Sequence, residues 1–186
     1  KRSLTWNEKN VLDGARHITI AGHIVYITTP DALVVLDLND PLAPQLLNRI
    51  KMNDPRASAL QFRYLLVTDR DGVKIFDATS PNNIKSSPIA AVPLNDARKV
   101  YIARTYAYVA AGKDGLAIID VKNPEKPFIN QIFTADGKIN DAQDVIVGST
   151  NASLFAYVAD GRNGLKVIQL TAPDTQPRYY GFSPEP

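Results

Sequence analysis

The sequence predicts an all-β fold, a β-propeller of four-stranded antiparallel blades, and three observations lead to it. The phrase YVAAGKDGLAIIDVKNP (108–124) returns as YVADGRNGLKVIQLTAP (157–173), and in weaker form as IVYITTPDALVVLDLNDP (24–41) and YLLVTDRDGVKIFDATSP (64–81). Its closing prolines, Pro41, Pro81, Pro124 and Pro173, stand 40, 43 and 49 residues apart, near the period of propeller blades. Helical periodicity is absent, and every repeat carries short runs that alternate or are rich in β-branched residues.

Taken in order, each repeat supplies four strand signals. The first is an alternating run ahead of the phrase: GARHITIAG (14–22), PRASALQF (55–62), DARKVYIA (96–103) and DAQDVIVG (141–148). The second is a short apolar run such as YAYVA, and the third, beyond a Gly-containing turn, is a run such as GLAIID. After the Pro-containing turn a fourth segment follows: QLLNRI, IAAVPL, FINQIF and RYYGF. A sandwich or barrel is also built of many short strands, but its strands need not resemble one another at a fixed period. Blades pack face on face, so each must present the same apolar surface and the sequence repeats itself. The expected blades are 15–53, 54–95, 96–140 and 141–186, with 1–14 as the end of a preceding blade or a clasp strand.

Composition narrows the function classes. With 45% hydrophobic and 22% charged residues over 186 positions, the chain can bury a core. A net charge of +2, with charges interspersed, gives no electrostatic case for nucleic acid. No apolar run approaches the roughly 18 residues that would predict membrane insertion. The absence of cysteine removes disulfides, thiolate zinc sites, a cysteine nucleophile and covalently attached haem. No cofactor is expected. KRSLTWNEKN at the start has no apolar core of a signal peptide.

The phrases GLAIIDVKNP, GLKVIQLTAP and ALVVLDLNDP resemble the LVIVD repeat, a β-propeller repeat of bacterial and archaeal proteins that are largely secreted or displayed at the cell surface. The resemblance spans about residues 15–182 and is strongest in the third and fourth repeats; in the first, Ala32 stands where Gly72, Gly115 and Gly164 stand in the others. Neither the Gly-His and Trp-Asp pairs of WD40 repeats nor the double glycine of kelch repeats recurs. The resemblance implies an extracellular, cell-surface or periplasmic location. Four repeats read as part of a larger propeller, with SLTWN as the last strand of another blade; the alternative is a closed four-bladed ring in which Ser3 to Asn7 clasps the last blade.

Candidate site residues lie in the loops that lead into the first strand of each repeat. Asp13, Asp54, Asp96 and Asp141 recur there, followed closely by Arg16, Arg56, Arg98 and Gln143. Around a channel such residues could bind a polar ligand or a protein partner; equally, each Asp can cap a turn and each Arg pair with the neighbouring blade. Asp69, Asp71 and Asp160 sit beside glycines as in calcium loops, without the D-x-D-x-D-G spacing, and hairpin turns account for them. His17 and His23 would share one side of a straight strand but form neither metal site nor triad. No G-x-S-x-G, phosphate loop or HExxH occurs. The segment GSTNASLF lengthens the fourth repeat alone, contains the sequon Asn151-Ala152-Ser153, and is a candidate partner contact, as are the aromatics Tyr179, Tyr180 and Phe182.

The function these readings favour is non-catalytic: an exported propeller scaffold presenting loops to a protein partner or to a larger surface assembly. The alternative is a metal-dependent lactonase or hydrolase with Asp96, Asp141 and Asp144 holding a divalent ion. A third reading is an electron-transfer partner, or a subunit of a surface complex, whose redox group belongs to what it binds.

Overall fold

The computed structural model describes residues 1–150, 152–174 and 184–186. All regular elements among them are strands, apart from three single 3-10 turns at Glu8–Asn10, Pro81–Asn83 and Gly161–Asn163. The chain divides into two compact halves, residues 1–94 and 95–186.

The first half holds two blades. One is β1 (His17–Ala21), β2 (Ile24–Thr28), β3 (Ala32–Asp37) and β4 (Gln45–Lys51), an antiparallel meander hydrogen-bonded in chain order. The other is β5 (Ala57–Gln61), β6 (Tyr64–Asp69), β7 (Gly72–Asp77) and β8 (Ala90–Pro93), ordered likewise. The second half holds β9 (Lys99–Ala103), β10 (Tyr106–Ala110), β11 (Leu116–Asp120) and β12 (Phe128–Phe133), then β13 (Asp144–Thr150), β14 (Ser153–Ala159) and β15 (Leu165–Thr171). The segment RYYGF expected as the fourth strand of the last blade, with Tyr179, Tyr180 and Phe182, lies outside the described residues.

The middle strands of three blades are buried on both faces, which is why their sequences read as continuous apolar runs: β3, β10 and β11 are buried along nearly their whole length. Pairing places Tyr26 opposite Val35 and Tyr108 opposite Ile118, so one face of the first blade and of the third carries Tyr and branched residues at matching positions. In the first half Tyr26, Leu33 and Val35 pack on Leu65, Val67 and Phe76 of the next blade. In the second half Tyr108, Leu116 and Ile118 pack in the same way on Val145, Ala156 and Val158. The repeated sequence is therefore the repeated seam between consecutive blades.

Residues 1–7 form no strand, contrary to the expectation for SLTWN. Trp6 instead packs with Val11 and Leu12 against Ala32, Val34 and Leu36, capping the other face of the first blade. His23 is a second correction. His17 begins β1, but His23 occupies the two-residue turn before β2, so the two do not share a strand. A third concerns GSTNASLF, read as a lengthened loop. Gly148 pairs with Phe155 where Ala103 pairs with Tyr106, and Ser149–Leu154 and Thr150–Ser153 add two further pairs, so the extra residues prolong a hairpin.

Candidate functional site

The lead-in loops are built to one pattern. The backbone N–H groups of Arg16, Arg56, Arg98 and Gln143 donate to the carbonyls of Thr28, Thr68, Ala110 and Ala159, each at 2.8 Å, so these four residues are structurally equivalent. Two residues earlier stand Gly14, Asp54, Asp96 and Asp141. Asp13 is thus one place out of register with the other three aspartates. Gly14 occupies their position at φ +70°, and Asp54 and Asp96 adopt φ 58° and 73°, left-handed values that Asp tolerates better than most residues. Asp13 instead accepts a hydrogen bond from Asn7 Nδ2 at 2.7 Å.

Within each half the structure joins the expected residues into a relay. In the first, Arg16 Nη1 of one blade meets Asp54 Oδ1 of the next at 2.5 Å, and Arg56 Nη2 holds the other oxygen at 3.2 Å. In the second, Arg98 donates to Asp96 within its own blade at 2.7 Å and to Asp141 of the next at 2.8 Å, while Gln143 Nε2 donates to Asp141 Oδ1 at 2.8 Å. The Arg16 guanidinium holds the Asp54 carboxyl below the usual carboxylate range, and the hydrogen bonds from Arg98 and Gln143 do the same for Asp141. Arg98 in turn is raised by Asp96 and, secondarily, by Asp141.

Two glycines missed in the reading of the turns make this relay possible. A Cβ on Gly112 would lie 2.3 Å from Asp96 Oδ2, and one on Gly161 would lie 2.1 Å from Asp141 Oδ2. The signal was present in the sequence, since GKDG and GRNG each carry a first glycine that DRDG lacks. Gly112 also exchanges backbone hydrogen bonds with Ala142, at 3.1 and 2.9 Å, tying the turn of one blade to the lead-in loop of the next.

The aspartates with a calcium-loop flavour are otherwise engaged. Asp69 is fully buried; its Oδ1 accepts the Asp71 N–H at 2.9 Å and its Oδ2 meets Lys74 Nζ. Asp160, also fully buried, accepts the N–H groups of Asn140 and Asp141 at 3.1 and 2.7 Å and the Asn163 amide at 3.0 Å, with Lys166 at 3.9 Å. Asp69 and Asp160 occupy equivalent positions, each four residues after the start of the shared Tyr64 to Asp69 and Phe155 to Asp160 register plus one, and each is matched by a lysine on the following strand. The repeat-wide Asp37, Asp77 and Asp120 accept the N–H two residues on, at 2.7, 2.9 and 2.8 Å, closing the turn before the fourth strand.

Among the described residues no three acidic or imidazole side chains gather as a metal site. Asp96 and Asp141 are bridged by Arg98, a cation where an ion would need to sit, and Asp144 accepts the N–H of its own neighbour Val145 at 2.7 Å. His17 Nδ1 accepts the Ser58 N–H at 3.2 Å and so serves the seam between the first two blades. In the second half an open cleft of about 530 Å³ lies over the relay, lined by Asn95, Asp96, Arg98, Lys113, Asn140 and Asp141 among others.

Comparisons with known proteins agree with this architecture. The family model of the LVIVD repeat matches residues 95–134 and 140–173. Comparison with the curated proteins found no match. Among solved structures, the computationally designed Ika4 protein is similar at TM-score 0.61 and 14% identity, over 90% of this chain and 95% of that one. Kluyveromyces lactis Hsv2 is similar at TM-score 0.52 and 16% identity over 87% of this chain, and BamB from Moraxella catarrhalis at 0.55 and 12% over 82%. The matched chain spans about half of either, 47% of Hsv2 and 42% of BamB. With the meander blades and their repeated seam, these matches establish that the chain is a β-propeller protein carrying LVIVD repeats at residues 95–134 and 140–173.

Proposed function

We propose that the chain is a non-catalytic interaction module, exported and displayed at the cell surface or in the periplasm, that presents its lead-in and second-turn loops to a protein partner. One observation carries the reading. The repeat-wide Asp and Arg residues are committed to one another as loop braces, which leaves the rim of the 530 Å³ cleft to residues that differ from blade to blade, such as Asn95, Lys113 and Asn140. A rigid frame with variable loops suits recognition, whereas an aspartate held in an ion pair with Arg is a weak base and a weak nucleophile. The export of the module is supported by the LVIVD resemblance.

The test places a photo-crosslinking residue at Lys113 in the source cells, with Lys122 as control. Lys122 lies in the turn after the third strand, at the opposite end of the blade in an antiparallel meander. Crosslinks to a protein from position 113 and few from 122 are expected. Crosslinks confined to 122, or none from either, would overturn the reading. Protease treatment of intact cells tests the location separately.

A further inference from the structure

We infer that β12 is a self-pairing edge, through which two copies of this chain associate about a two-fold axis to form one continuous sheet. β12 is the outermost strand of its blade and pairs only with β11 among the described strands. Such an edge offers unpaired N–H and C=O groups, and proteins normally protect it. The first two blades do so: β4 ends QLLNRIK with Arg49 and Lys51, and β8 is four residues long and ends in Pro93. β12 is six residues of FINQIF, without charge, proline or glycine, and nearly all of it is exposed. Phe128, Ile129 and Ile132 are 55%, 37% and 46% accessible.

The strand is also a chemical palindrome. Run antiparallel against itself, it sets Phe128 against Phe133, Ile129 against Ile132 and Asn130 against Gln131 of the second copy. In a regular strand that would fail, because residues five apart lie on opposite faces. β12 is not regular. Ile118 pairs with Gln131 and Ile119 with Ile129, which leaves Asn130 as the extra residue of a bulge. Phe133 opposite Leu116 and Phe128 opposite Asp120 therefore share one face, and Ile132 opposite Ala117 and Ile129 opposite Ile119 share the other. The bulge thus brings both phenylalanines to one side and both isoleucines to the other, as a two-fold axis perpendicular to the sheet requires. An isologous contact of this kind closes on itself, so it ends at the dimer. Aromatic and aliphatic cross-strand pairs add to the backbone ladder, with the Asn and Gln amides paired near the axis.

A six-residue ladder is a small interface, so the dissociation constant should be on the order of 10 μM. Sedimentation equilibrium of the full chain is expected to show a monomer–dimer equilibrium that Ile132→Lys shifts to monomer by at least about tenfold, since it sets a charge on each side of the seam. Ile132 is exposed, and an unchanged circular dichroism melt will show that the variant is folded. The chain has no cysteine, so mixing Asn130→Cys and Gln131→Cys proteins is expected to give a disulfide-linked dimer faster than mixing Phe128→Cys with Gln131→Cys. A monomer up to about 1 mM, a dimer that survives Ile132→Lys, or equal disulfide rates in the two mixtures would each overturn the inference.

Discussion

Gly115 and Gly164 open the third strand in equivalent turns, at φ +76° and +78°, and differ in what surrounds them. A Cβ on Gly115 would lie 2.6 Å from the carbonyl oxygen of Phe133, where the fourth strand crosses close by, whereas one on Gly164 meets nothing within 4 Å among the described residues. Replacing either by alanine imposes a left-handed φ on a residue with a side chain, a cost of about 2 kcal/mol. At Gly115 alone, backbone must also shift to clear the carbonyl, which adds about 1–3 kcal/mol as other overpacked sites do. For a chain of this size, about 1 kcal/mol moves Tm by roughly 2–4 °C, so Gly164→Ala should lower it by about 4–8 °C and Gly115→Ala by about 6–20 °C. Differential scanning calorimetry of the two variants beside the parent reads both numbers. Equal losses would show that the close approach of β12 contributes nothing and that φ alone explains the glycine; a larger loss at Gly164 would reverse the argument.

Other outcomes follow from the same geometry. Leu116 and Leu165 occupy equivalent positions, 0% and 65% exposed, so Leu116→Ala should cost about 2–5 kcal/mol by urea denaturation and Leu165→Ala less than about 1 kcal/mol. Lys74→Met should destabilise more than Lys166→Met, because the buried carboxylate of Asp160 keeps two backbone N–H donors and the Asn163 amide, whereas Asp69 keeps only the Asp71 N–H among its printed partners; paired urea titrations compare them. Asp54 has its folded pKa depressed by Arg16, so its contribution is fully present above the unfolded value of about 4 and is lost as pH falls through the lower folded value. The gap in urea midpoint between the parent and Arg16→Met should therefore be open at neutral pH and close at strongly acid pH; a gap independent of pH would remove the ion pair from the explanation.

The fold was legible because blades repeat their seams. Tyr26 and Tyr108, with Val35 and Ile118 opposite them, occupy the same cross-strand position in two blades, and a position that must be buried on both faces writes itself as a run such as YAYVA or LVVLD. The turn chemistry was legible for the same reason, since Asp37, Asp77 and Asp120 each close one turn. Registers where a one-residue offset decides the role were not. Asp13 sits beside Gly14, and only the backbone bond from Arg16 to Thr28 shows that glycine fills the place of Asp54. Spacings of 41, 42 and 45 residues could not separate those two assignments. The partners of Arg16 and Arg98 were equally out of reach, because each bonds across a seam to a residue about 40 positions away.

A position in a repeat specifies a face before it specifies a neighbour. Leu165 and Val167 stand in the last blade where Leu116 and Ile118 stand in the one before, and Tyr157 pairs with Val167 as Tyr108 pairs with Ile118. Yet Leu116 and Ile118 are buried by the blade that follows, while Leu165 and Val167, with Ile146 beside them, are exposed. The residues are alike in chemistry and opposite in environment, so burial here is a property of the array, not of the single blade. The same logic separates the two kinds of polar residue. Asp54 and Asp141 recur because every lead-in loop needs a brace for the arginine of the preceding blade. Lys113, on the cleft rim, answers to no such demand from the blade, and selection by something outside it is the pressure left to act there.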